Sequence, residues 1–202
     1  MKYKLCKKNN KLLKKSHIIS EFVYKELFDE KHRLYEALIN PNFQVKSKPR
    51  QSGAYDKKIL CEDCDNKVLG GLERYASLVF FGGIELDIKK SNLAEDFSIY
   101  LDIKGVDYIK FKLFLLSILW GAGISSLPIF SDINLGKHQE ILRDKIISNN
   151  PGNSNEYLCA IFTYLHNKQL PHQIVAKPGA IINGEQRIYA FLISGILFVF
   201  LC

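Results

Sequence analysis

Several things are scarce in this 202-residue chain, and each scarcity excludes something. It has five cysteines at irregular spacing, and no apolar stretch follows the charges of Met1-Lys2-Tyr3-Lys4-Leu5. A disulfide scaffold is therefore excluded, and no export signal is expected. No apolar run is long and clean enough to cross a bilayer, which takes about 20 residues. The run from Phe111 to Phe130 is interrupted by Lys112, Gly121, Gly123 and Pro128. The run from Ile188 to Cys202 has Ser194-Gly195 at its middle and reads as two buried strands around a tight turn. Internal repeats and low-complexity tracts are absent too. The expectation is a soluble, cytoplasmic protein without a membrane partner. With 47% apolar and 24% charged residues, the chain has ordinary globular composition.

Positive charge is present and unevenly placed. The chain carries a net +7, yet residues 1–60 hold 15 Lys/Arg against 6 Asp/Glu and the remaining 142 hold 13 against 15. The basic excess belongs wholly to the N-terminal segment. A phosphate backbone is the commonest partner of such a patch; a merely solvated basic face is the plainer alternative.

Residues 1–20 read as a knuckle and short strands, turning at Asn9-Asn10. Ser20 fits as the N-cap of a helix to about Ile39, with Phe22, Tyr24, Leu27, Phe28, Leu34 and Leu38 at roughly helical spacing. Asn40-Pro41-Asn42 would end it, and Gln44 to Tyr55 reads as a basic loop. A strand over Lys57 to Leu60 then leads into Cys61-Glu62-Asp63-Cys64. The next helix, from about Asp65 to Phe80, is expected to break or bend near Gly70-Gly71. Beyond Gly82-Gly83, strands are expected over 84–88 and 97–103, an apolar helix over 108–122 and an amphipathic helix over 137–148. Strands follow over 155–163 and in the last 30 residues, with turns at Pro178-Gly179 and Asn183-Gly184.

Two thiolates on a tight Cys-x-x-Cys knuckle are half of a tetrahedral zinc site. Cys6 is the natural third ligand for a structural Zn2+, joining Cys61 and Cys64. Tyr3 stands where a second N-terminal cysteine would be, so the fourth position is open to His32, to solvent or to a residue not identified. A redox role for Cys-x-x-Cys lacks the usual thioredoxin-like βαβ setting.

These two knuckles, with Ser16-His17-Ile18-Ile19 between them, resemble the HNH family of metal-dependent nucleases. More narrowly they resemble bacterial HNH-like proteins in which Ser-His-Ile-Ile replaces Asp-His. The resemblance covers residues 1 to about 80. It implies a small treble-clef (ββα) zinc-knuckle module with a helical insertion, residues 1–82; the strand and helix pattern of residues 83–202 reads separately as an α+β domain of unknown role, so the fold class expected is α+β. It also implies phosphodiester hydrolysis, with DNA preferred over RNA, and by analogy a role in phage defence. His17 matches the general base, Asp56 falls near the middle catalytic position, and Asp65 or Asn66 would hold a catalytic Mg2+ or Mn2+ through oxygen. The sequence departs from the pattern at Ser16, where an aspartate is usual, and at Asp65-Asn66, where a histidine is usual.

Lys7, Lys8, Lys11, Lys14 and Lys15, with Arg50, Lys57 and Lys58, would form a cationic collar around His17 suited to phosphates. Each residue has a plainer role as well. His17 fits a hydrogen-bonded structural histidine, and Asp65 and Asn66 fit helix caps. The alternative function is an inactive zinc-binding module that binds DNA or a protein partner, and a third possibility places the function wholly in residues 84–202. Trp120 is assigned to the core. Cys159, Cys202, His138, His166 and His172 form no recognisable spacing.

Overall fold

The computed structural model describes residues 4–8, 13, 15–39, 45–92, 99–163, 175–184 and 186–202. It is a mixed α+β protein built around one very apolar helix. That helix, α2 (Tyr108–Ile124), starts where Asp107 accepts a hydrogen bond from the Lys110 backbone N–H at 3.1 Å. Its apolar residues run round the whole circumference, which marks a helix packed on all sides. Leu113, Phe114, Leu116 and Leu119 are all fully buried. Lys112 is only 6% exposed and donates to the Tyr157 carbonyl, which removes most of the cost of burying an ammonium group. Trp120 lies in the core as expected, 1% exposed. No helix among the described residues is long and apolar enough to cross a membrane.

On one side of α2 lies the N-terminal third. Strand β1 (Ser16–His17) pairs antiparallel with β4 (Tyr55–Asp56), setting His17 opposite Tyr55. The Ile18 N–H donates to the Ala54 carbonyl at 2.9 Å and extends the pairing by a residue. Helix α2 comes against this strand at Gly121, where a Cβ would stand 3.0 Å from the Ile18 carbonyl oxygen. Only glycine permits so close an approach. The strand bearing His17 thus rests directly on the central helix.

The C-terminal part forms a four-stranded antiparallel sheet in the order β7-β10-β9-β8, made of β7 (Leu158–Thr163), β8 (Gly179–Asn183), β9 (Gln186–Ile193) and β10 (Ile196–Leu201). The tight turn expected at Ser194-Gly195 is there, both residues having positive φ, 51° and 74°, as a two-residue hairpin loop requires. Helix α3 (His138–Ile147) also packs on α2. Phe22, Phe80, Phe114 and Phe198 lock these layers together, with ring centroids 5.5 Å apart for Phe22–Phe114 and 6.4 Å for Phe80–Phe198.

The expected helix from Ser20 to Ile39 is replaced by other structure. A 3-10 helix spans Glu21–Leu27, and then β2 (Leu34–Ile39) pairs with β3 (Val45–Arg50), where a loop was expected. Asp29 is the reason. Its carboxylate accepts from the Lys31 N–H at 3.0 Å and the Arg33 N–H at 2.8 Å, and it pairs with the Arg33 guanidinium. A short side chain that captures the backbone ahead of it competes with helix and wins here. Helix α1 (Gly70–Phe81), in contrast, runs on through Gly70-Gly71 from a π-helical segment, Asp63–Leu69. Strands β5 (Asp87–Asn92) and β6 (Ile99–Lys104) form a separate hairpin. Gly82 ends α1 with φ 74°, and one continuous core draws on residues 1–82 and 83–202 alike, from Leu5 and Ile18 to Phe198 and Phe200.

Asp56 is a principal tie between the parts. It is 5% exposed and accepts hydrogen bonds from the Ser126 N–H at 2.6 Å, the Ser126 hydroxyl and the Ser125 hydroxyl at 3.2 Å, and the Lys57 N–H at 2.7 Å. Burial pushes its carboxyl upward, but these donors outweigh burial and hold it below the ordinary carboxylate range. A depressed folded value means a stabilisation that is complete above the unfolded value of about 3.9 and fades as pH falls through the folded one. Asp56→Asn is therefore expected to lower stability by about 2 kcal/mol at pH 7. Urea titrations across the pH range should show the gap from wild type closing below about pH 3.9.

Candidate functional site

Among the described residues only Cys6, Cys61 and Cys64 bring three ligand atoms together, all within 4.8 Å of one another. The sequence that separates them folds back in short hydrogen-bonded steps. The Lys4 N–H reaches the Ile59 carbonyl at 3.3 Å, and Leu13 exchanges backbone bonds with Lys58 and Leu60. Lys7 turns the first knuckle with φ 55°. From α3, Arg143 donates to the Leu5 carbonyl at 2.8 Å, and Lys7 pairs with Glu140.

The sulfurs fit a thiolate-bound ion. At a Zn–S distance of about 2.3 Å, tetrahedral geometry places neighbouring sulfurs about 3.8 Å apart, and Cys6 Sγ lies 3.8 Å from Cys61 Sγ. Burial raises the Cys6 thiol, but the Lys8 backbone N–H and the two neighbouring thiols outweigh it and lower the net value. The Cys64 thiol is pushed strongly up, by burial first and then by the other two sulfurs. Three crowded thiols that cannot all ionise are what a soft cation relieves. These three residues could hold a metal such as zinc, leaving one tetrahedral position for solvent or another ligand. His32 does not join them. Its ring stacks on Phe28 at 4.1 Å and its Nε2 lies 3.6 Å from Glu21.

A second group of side chains gathers beside this cluster. His17, on β1, lies 3.6 Å from Glu21 through Nε2. Asp65, the first residue past the second knuckle, is half-buried on the π-helical segment. Burial raises its carboxyl, while the Ser16 hydroxyl and His17 oppose the rise. Ser16 Oγ is buried and has no hydrogen bond of good geometry, so its contact with Asp65 is a loose one. Asn66 is exposed on the same segment, so of the two cation ligands expected here it is Asp65 that faces His17.

Glu73 completes the group, and sequence reasoning missed it. Burial raises its carboxyl most, and Asp65 raises it further, whereas Ser20 and His17 oppose. Ser20 makes no side-chain cap bond, and it lies near enough to Glu73 to oppose that rise. The overlooked signal was spacing. Asp65, Leu69, Glu73 and Ala76 follow one another at helical intervals, and Leu69 and Ala76 are buried, so Glu73 is a carboxylate on a core-facing stripe. The π-helical segment carries the stripe through, the Gly70 N–H reaching back five residues to the Asp65 carbonyl; such segments recur at functional sites.

No protein family, curated protein or solved structure matches this chain.

Asp56, expected near the catalytic position, has both carboxylate oxygens engaged by Ser125 and Ser126. Of the expected collar, Lys8, Lys15, Lys57, Lys58 and Arg50 are exposed, and Lys15 Nζ sits 4.4 Å over the Tyr55 ring opposite His17. Lys7 is committed to Glu140. Lys11 and Lys14 lie outside the described residues.

Metal analysis of the freshly purified protein should find one equivalent of zinc. Cys61→Ser should abolish it and lower Tm by about 10 °C, because a loss of about 4 kcal/mol moves Tm by 2–4 °C per kcal/mol in a chain of this size. A chelator should reproduce that loss in wild type but leave Cys61→Ser unchanged.

Proposed function

We propose that this chain is a zinc-stapled, HNH-like nuclease of treble-clef type that hydrolyses nucleic acid phosphodiesters, DNA in preference to RNA. The observation that carries this reading is the gathering of His17 with two half-buried carboxyls, Asp65 and Glu73, both drawn toward protonation. Perturbed ionisable groups concentrated around one histidine are a mark of acid–base sites. His17 is the general base, taking a proton from the attacking water. Glu21 orients its ring. Asp65 and Glu73 supply the oxygen donors a hard cation takes, and Mg2+ is commonly held by one or two carboxylates and its own waters. Such an ion, when bound, stabilises charge on the phosphoryl and leaving oxygens. The exposed lysines next to β1 and β4 fit the backbone of the substrate. A role in phage defence belongs to the same proposal and rests on the resemblance alone.

One observation favours a second reading, a zinc-binding module that binds DNA or a protein partner without cutting. Among the described residues no second group of three ligand atoms shares the space of one ion.

Plasmid nicking with Mg2+ or Mn2+ separates the two. Wild type should nick, and His17→Ala and Glu73→Gln should each lose about a hundredfold or more. Equal nicking by wild type and His17→Ala, or none by either, removes the nuclease reading; salt-dependent DNA binding without cleavage supports the second.

A further inference from the structure

The three clustered sulfurs differ in their access to solvent. Cys61 is 3% exposed and Cys64 2%, whereas Cys6 is only half-buried. Cys61 and Cys64 belong to the segment that runs into α1, and both sit in the core with Leu60 and Leu69. Cys6 lies on a turn of the N-terminal segment, between the buried Leu5 and a Lys7 in the left-handed region. A small reagent arriving from water therefore meets Cys6 first. A second sulfur stands ready beside it. Cys61 Sγ is 3.8 Å away, so a disulfide bond of about 2.05 Å requires the two atoms to close by only about 1.8 Å.

We propose that Cys6 is an oxidation site, and that hydrogen peroxide joins it to Cys61 in a disulfide that empties the metal cluster. Sulfurs held at a cation are thiolates, and the thiolate is the nucleophile. The Cys6 sulfur attacks one peroxide oxygen and breaks the O–O bond; it becomes a sulfenic acid, and the other oxygen leaves as hydroxide. The Cys61 thiolate then attacks the Cys6 sulfur, forms the S–S bond and expels a second hydroxide. Two protons from solvent convert both hydroxides to water. Each sulfur gives up one electron, and the O–O bond takes the pair.

The product binds zinc badly. Only Cys64 remains a thiolate, and a structural zinc ion takes four ligands. Asp65 follows Cys64 directly, so the loss is felt at the carboxylate that faces His17. Cys159 and Cys202 provide a contrast within the same chain. Burial pushes the Cys159 thiol up to about 11 and the Cys202 thiol up to about 12, and an un-ionised thiol attacks peroxide poorly. The switch rests on the zinc staple of the proposed function and is independent of cleavage.

The test exposes the full chain to hydrogen peroxide while free thiols and released zinc are followed, with the bridges mapped by mass spectrometry after alkylation and digestion. Wild type should lose its zinc and two thiols together, yield a Cys6–Cys61 peptide, and recover on adding dithiothreitol and zinc. Cys6 should react roughly tenfold or more faster than Cys159 or Cys202. Cys6→Ser should slow thiol loss at Cys61 and Cys64 by about the same factor. Should that variant misfold, the wild-type map decides by itself. A bridge that leaves out Cys6, or a Cys6 no faster than Cys159, overturns the proposal. Zinc retained while the Cys6–Cys61 bridge forms overturns the switch alone. Protein that purifies without zinc removes the staple reading and the switch with it, and the map still decides whether Cys6 is the oxidation site.

Discussion

The convergence of three sulfurs is the constraint on which the N-terminal third depends. Cys6 and Cys61 are 55 residues apart in sequence and 3.8 Å apart in space. Whatever holds them there also fixes where the chain re-emerges on either side. Ten residues after Cys6 comes Ser16-His17, and one residue after Cys64 comes Asp65. A single meeting of knuckles therefore brings the histidine strand and the carboxylate helix to the same place. Closing a loop of this length costs several kcal/mol of chain entropy by analogy with a cross-link, which makes a bound ion a natural compensation.

The second support is the central helix. Gly121 admits the Ile18 backbone to near contact, Lys4 donates to the Ile124 carbonyl at 2.9 Å, and Asp56 grips the loop that follows. The C-terminal part is accordingly more than an appendage. It forms the floor under the strand that carries His17, and its aromatic residues join the same core as Phe22 and Phe80. The rigidity asked of a site built on a short two-residue strand comes from this floor.

Features governed by near neighbours were legible in the sequence. The Cys-x-x-Cys knuckle and the helix after it, the apolar span of α2, the amphipathic α3 and the hairpin turn at Ser194-Gly195 all follow from spacing and turn chemistry. The failures have the same origin. Phe22, Tyr24, Leu27 and Phe28 suit a helix, yet Asp29 takes the following N–H groups and ends it. Asp56 stood close to the second knuckle in sequence, but its side chain is spent on serines 69 and 70 residues away. Glu73 escaped notice because no local motif marks it; only its place on a buried stripe does.

By itself the sequence determined the local elements and the Cys6, Cys61 and Cys64 thiols as ligand types, because backbone preference, periodicity and donor chemistry act within a few residues. The tertiary structure alone decided which groups meet. It drew Cys6 to the other two thiols, turned Asp65 inward and Asn66 outward, set Glu73 on the same stripe as Asp65, and engaged both oxygens of Asp56 with Ser125 and Ser126. Each of those outcomes depends on how elements pack against α2, and packing is a property of surfaces that come together only when the whole chain has folded.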